Sequence, residues 1–241
     1  MPPKNPWTNI SWQNTIADCD KCSVTPYLTG YNYVVKEQQI HNELLPEPFL
    51  GDFRAQVYLL NGNPKFINED DLYIGDSTLE NLIQKTLTQN LKGPIVPFIW
   101  LNYSQPTSVS KGRHPGYSWW ESTMKYAIQD RKALLNKNNT PNMCCIEYIP
   151  YLSVNFPLLP NLPSQAYVDY YINNAIENGK WIIVMRHYTE WMKRIPNLLR
   201  CTHLLRCVNA QRATISEKNL LDVHKNHIIG NQDWMNLLKA M

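Results

Sequence analysis

Four short apolar segments, separated by helical patterns, constrain the fold more than any other feature of the chain. Gln56 to Leu60, Met143 to Ile149, Trp181 to Arg186 and His203 to Val208 are rich in apolar, β-branched or aromatic residues and lack the alternation of half-exposed strands. Runs of this kind fit strands buried on both faces. The intervening helices have recognisable ends. Asp76-Ser77 precedes Thr78 to Gln89, with Glu80 three residues after Ser77 in a capping-box relation. Trp119 to Asn136 follows, then Ser164 to Asn178, opened by Pro163-Ser164 and closed by Gly179. Tyr188 to Arg194 forms a short helix that stops at Pro196. Strand and helix in repetition imply right-handed crossovers and a parallel sheet, so the expected class is α/β with about four central strands.

At 241 residues the chain can build one sizeable core. Residues 1–52 mix Trp, Pro and short polar runs without sustained periodicity and read as an N-terminal extension packing on a domain at 53–241. The segment from Gly93 to Gly116 carries four prolines and three glycines and is a loop by composition. Loops this long are often functional.

Several function classes are disfavoured. The longest apolar runs, such as Trp181 to Met185, fall far short of the roughly 20 residues of a membrane-crossing helix. The N-terminus has one Lys with no apolar run behind it, unlike a secretory signal, so a soluble, cytoplasmic protein is expected. Cys19, Cys22, Cys144, Cys145, Cys201 and Cys207 suit a reducing compartment. Cys19 and Cys22 have the spacing of half a zinc ribbon, but no second such pair occurs, and neither a metal nor a cofactor is expected. Neither a nucleotide-binding Gly-x-x-x-x-Gly-Lys loop nor a Gly-x-Ser-x-Gly elbow is present. A formal charge of +3 permits a nucleic-acid partner without demanding one.

Ligands of open parallel sheets bind beyond the carboxyl ends of the strands. That rule singles out Asn61-Gly62-Asn63-Pro64-Lys65-Phe66, which follows directly on the first strand. Gly62 lets the chain turn where a side chain would obstruct a ligand. The same residues also make an ordinary strand-to-loop turn.

Leu59-Leu60-Asn61-Gly62-Asn63-Pro64 resembles the first motif of the uracil-DNA glycosylase superfamily, particularly its single-strand-selective and mismatch-specific branches, in which a strand ends in Gly-x-Asn-Pro. The resemblance implies a three-layer α/β/α sandwich around a parallel sheet of about four strands. By position it implies that Asn63 holds the attacking water and that Phe66 stacks on the extruded base, with Asn61, Gly62 and Pro64 bordering the site. Asn61 stands where the family usually has Gly, and Lys65 where Gly often follows the Pro.

A second resemblance lies in Asn209 to Leu220, at the place of a DNA-inserting loop that typically opens with His-Pro-Ser. Here Val208 and Asn209 replace the His that stabilises charge on the departing base. Asn209, which can donate one hydrogen bond, or Arg212, which can meet a phosphate or an anionic base, would then stabilise the departing base. The superfamily also reads the pyrimidine edge with an Asn near the end of its second strand. Glu147 to Ser153 offers none, and Tyr151 and Ser153 are the pocket candidates, although a Pro-Tyr turn serves packing equally well.

Lys65, Lys111, Arg113, Arg186, Lys193, Arg194 and Arg212 are candidates to grip a nucleic-acid backbone. Arg186 ends a buried strand on the expected site side, followed by His187; a partner carboxylate is the alternative for it. Tyr117, Trp119, Trp120, Trp181 and Trp191 offer stacking surfaces or fill the core. His114, at the end of the long loop, is the other place where a catalytic imidazole could approach the pocket, although most loop histidines are simply solvated. The expected function is hydrolysis of the N-glycosidic bond of a damaged or modified base in DNA. The alternatives are a catalytically inactive protein of the same fold that binds nucleic acid, nucleotide or a protein partner, and a structural protein with a filled pocket.

Overall fold

The structure, a computed structural model, describes residues 1–31, 34–92, 99–102, 114–137 and 139–241. Among them, seven strands form one mixed sheet in the order β1-β3-β2-β4-β5-β6-β7. They are β1 (Phe49–Gly51), β2 (Val57–Asn61), β3 (Met143–Glu147), β4 (Trp181–Val184), β5 (His203–Cys207), β6 (Leu220–Asp222) and β7 (His227–Ile228). The helices are α1 (Lys21–Val24), α2 (Ser77–Leu87), α3 (Ile99–Asn102), α4 (Pro115–Leu135), α5 (Gln165–Glu177), α6 (Tyr188–Arg194) and α7 (Asn231–Ala240).

The four segments expected as strands are β2 to β5, and they run parallel. Every residue of β2 and β3 is buried, which explains the missing alternation. The sheet is wider than the expected four strands because β1, β6 and β7 add antiparallel edges. Those strands are two or three residues long, too short to leave a periodic signal. β1 falls inside residues 1–52, whose Trp7, Ile10, Val24 and Ile40 share one apolar core with β2 and β3.

The register of β2 on β3 positions the site. Val57 pairs with Met143 and Asn61 with Glu147, so both polar residues emerge side by side at the carboxyl edge. Helix starts are also specified locally. The Asp76 side chain, rather than Ser77, caps α2 by accepting from the Thr78 and Leu79 amides. Glu80 instead accepts from the Trp12 amide, at 2.9 Å. α4 begins four residues before Trp119, because the His114 ring caps it and Pro115 occupies the first turn. No helix among the described residues is long and apolar enough to cross a membrane.

Asp20 joins the N-terminal segment to this frame. It is fully buried and accepts from the Tyr151 hydroxyl at 2.8 Å, from the Ser164 amide at 2.9 Å and from the Ser164 hydroxyl. Asp20→Ala leaves three donors without this acceptor, each costing about 1–3 kcal/mol if unsatisfied. Urea unfolding is expected to show a loss of at least about 3 kcal/mol, with a smaller loss for Asp20→Asn. A loss below about 1 kcal/mol for the alanine variant would contradict this role.

Candidate functional site

A cavity of about 390 Å3 opens at the carboxyl ends of β2, β3 and β4. Its polar lining includes Asn61 and Asn63 from the turn after β2, Glu147 from the end of β3, and Arg186 just beyond β4. Glu47, Lys65, Asp70, His114 and Gln211 add to that lining, and Trp12, Tyr73, Trp100, Trp119 and Trp120 supply aromatic walls. This is the place where a parallel sheet presents a ligand site, and the volume suits one small molecule.

Asn61 and Glu147 form a buried pair, 4% and 5% exposed. The Asn61 amide donates to Glu147 Oε1 at 3.0 Å, and the Trp191 indole N–H fixes the Asn61 carbonyl at 2.7 Å. Asn61 Oδ1 and Glu147 Oε2 have no hydrogen-bond partner among the described residues. Burial raises the Glu147 carboxyl to about 7, against the opposing effects of the Asn61 bond and the Arg186 charge. Arg186 makes no ion pair with Glu147 among the described residues. It lies over the Trp119 ring, 5.6 Å from its centroid, and donates to the Gln211 carbonyl at 3.4 Å.

On the opposite wall, burial lifts the Glu47 carboxyl to about 8, opposed by a 3.0 Å bond from the Trp100 indole and reinforced by the charges of Glu147 and Asp70. His114 stacks on Trp100 with ring centroids 4.1 Å apart. Its Nδ1 accepts from the Gly116 amide at 3.0 Å, so the neutral ring carries its proton on Nε2, which lies 3.9 Å from Asp70 Oδ1. Burial holds its pKa down at about 4.

These shifts set opposite stability slopes. Glu47 and Glu147 hold protons more tightly in the fold than at their ordinary value of 4.5, so their contribution is full below that value and lost as pH rises through 7 and 8. His114, lowered from 6.5, contributes above 6.5 and loses that contribution as pH falls through about 4. Of the three, only the glutamates act between about pH 6.5 and 8. The melting temperature is expected to fall across that window, and Glu47→Gln to flatten the fall. A parent profile that is flat or rising there contradicts the assignment.

Asn63 is held by one end of its amide. Its Nδ2 donates to Ser153 Oγ at 2.9 Å, to the Ser153 carbonyl at 3.3 Å and to the Pro64 carbonyl at 3.1 Å. Ser153 is fully buried and donates in turn to the Asn155 carbonyl at 2.8 Å. Three oxygen acceptors fix the rotation of the amide, and Oδ1 is left facing no donor among the described residues.

Gly62 permits a close approach. A Cβ there would stand 2.5 Å from Cδ2 of the His187 ring, which stacks on Phe156 with centroids 3.8 Å apart. Gly62→Ala is expected to cost about 1–3 kcal/mol by overpacking. His187→Ala in the same chain should recover most of it, a coupling that a double-mutant cycle by urea unfolding measures. Additive losses would contradict the contact.

The remaining sequence candidates lie elsewhere. Phe66 packs beneath the loop, stacked on His41 with centroids 3.5 Å apart beside Leu44 and Leu152, and is not in the cavity lining. Tyr151 is buried against Asp20. Asn209 is exposed, and its side-chain oxygen accepts from the Gln211 and Arg212 amides at 3.1 and 3.0 Å. Arg212 is exposed outside the lining, whereas Pro64 and the exposed Lys65 border the cavity. Lys193 is exposed, and Arg194 is paired with Asp169 at 2.6 Å. Trp191 is fully buried. Lys111 and Arg113, with 93–98 and 103–113 of the long loop, lie outside the described residues.

Glu47, Asp70, Trp12 and Trp100 were not singled out from sequence. Glu47 carries a usable signal, a lone acid between Pro46 and Pro48 in an otherwise apolar run, and Glu147 is the one charged residue of its strand. Among the described residues no group of three or more His, Cys, Asp or Glu is arranged to hold a metal ion. The chain matches no family model, no curated protein and no solved structure.

Proposed function

We propose that this chain is a DNA N-glycosylase-like hydrolase that takes an extruded base into the cavity beneath Asn63. The observation that carries the reading is the Asn63 side chain, anchored through Nδ2 and presenting an acceptor at the carboxyl end of a parallel strand beside an aromatic-walled cavity. In this reading Oδ1 accepts from a water whose oxygen attacks the sugar C1′. The C1′–N bond breaks, its electron pair leaves with the base, and the proton lost by the water ends on that base. The resemblance in the turn and the parallel central strands support the finer fold reading, a three-layer sandwich of the uracil-DNA glycosylase kind with four strands at its centre. Lys65 and Arg186 at the cavity, with Asn209 and Arg212 on the loop after β5, contact the DNA backbone.

A second reading, a pocket that binds without cutting, is favoured by Val208 and Asn209, which stand where the resemblance places the charge-stabilising His. Labelled oligonucleotides carrying uracil, hypoxanthine, xanthine or oxidised bases separate the two when scored for alkali-labile sites. Sites dependent on added protein support hydrolysis. Retention of an oligonucleotide without cleavage of any supports the binding reading.

A further inference from the structure

Burial of an unsatisfied polar atom costs free energy, so two of them beside a cavity are where ordered water or the donors of a ligand are best accommodated. Asn61 Oδ1 and Glu147 Oε2 are such a pair. Their residues are held side by side by the β2–β3 register, and both border the cavity. The Asn61 Nδ2 to Glu147 Oε1 bond fixes which atoms remain: both are oxygens, and with the Glu147 carboxyl ionised, above about pH 7, both call for donors. Arg186, the nearby cation, makes no ion pair with Glu147 among the described residues, so the demand is not met from that side.

Uracil presents one N–H between two carbonyl oxygens, which would set its acceptors against these acceptors. A guanine-type edge presents a ring N–H beside an exocyclic amine, two adjacent donors. We infer that the cavity selects a base with a guanine-type donor edge, read by Glu147 Oε2 and Asn61 Oδ1, and discriminates against uracil. This rests on the reading of the cavity as a base site. Glu147 and Asn61 act here as specificity-determining residues, and a purine fits the 390 Å3 available. A lesion recognised this way keeps its donor edge intact and is altered on the imidazole side.

Calorimetric titration of the full chain with guanosine, inosine and uridine tests this without requiring any cleavage. Inosine keeps the ring N–H and lacks only the exocyclic amine, so it isolates the second donor. Guanosine is expected to bind about tenfold or more tightly than inosine, with uridine weakest. Glu147→Gln replaces one acceptor by a donor and should reduce the guanosine preference over inosine to within about threefold. The order measured on the parent protein suffices if that variant does not fold. Equal or tighter binding of inosine or uridine overturns the inference, as does an unchanged ratio in a folded Glu147→Gln protein or no guanosine binding at millimolar concentration. A guanosine preference with no excision of any base removes the hydrolytic reading and leaves this one. Asn63-dependent excision with uridine bound best does the reverse.

Discussion

Asn63→Ala is expected to lower the single-turnover rate of base release by about a hundred- to a thousandfold, with oligonucleotide affinity changed by less than about threefold. The effect is large because the side chain is preorganised. Three oxygens hold Nδ2 in place, so Oδ1 meets the attacking water without reorganising during the reaction. It falls on rate rather than binding because the water matters only as the C1′–N bond breaks. Ser153→Ala removes one of the three anchors and leaves the two carbonyl bonds, so its loss should be nearer tenfold. A release rate for Asn63→Ala within threefold of the parent contradicts its place in the chemistry.

Trp191→Ala should cost about 3–5 kcal/mol of stability by urea unfolding. The indole is fully buried, meets Tyr148 edge-on with centroids 5.0 Å apart, lies under the Arg194 guanidinium and donates to the Asn61 carbonyl at 2.7 Å. Trp191→Phe keeps most of the ring volume and loses the N–H, so about 1–2 kcal/mol is expected. The difference between the variants separates packing from the bond that fixes the end of β2. Because that bond holds the Asn61 backbone, Trp191→Phe should also weaken ligand binding in the cavity more than its stability loss alone explains. A loss below about 1 kcal/mol for Trp191→Ala contradicts the packing argument.

The central strands were legible because each is buried on both faces, and the Asn61 to Pro64 turn because Asn, Gly and Pro are strong turn formers at the end of such a strand. β1, β6 and β7 were not, since a two- or three-residue strand has no period to detect and exists by pairing with a neighbour. The cavity followed the same division. Asn61, Asn63 and Arg186 border it because the general geometry of parallel sheets puts strand ends there. Phe66 lies only three residues beyond Asn63, yet the loop turns its ring under to stack on His41, a contact that depends on residues 25 positions away in the chain. Glu47, Asp70 and Trp100 come from separate segments and meet only after folding. His114, named as a loop imidazole, is a helix cap inside the cavity, and Pro115 immediately after it was the local sign.

A crystal structure of the protein with an oligonucleotide carrying a 2′-fluoro nucleotide that resists hydrolysis would show where an extruded base sits. The extruded base is expected inside the cavity against Asn61 and Glu147, with a water between C1′ and Asn63 Oδ1. A nucleotide left stacked in the DNA, with the cavity facing away from the sugar, would contradict this placement.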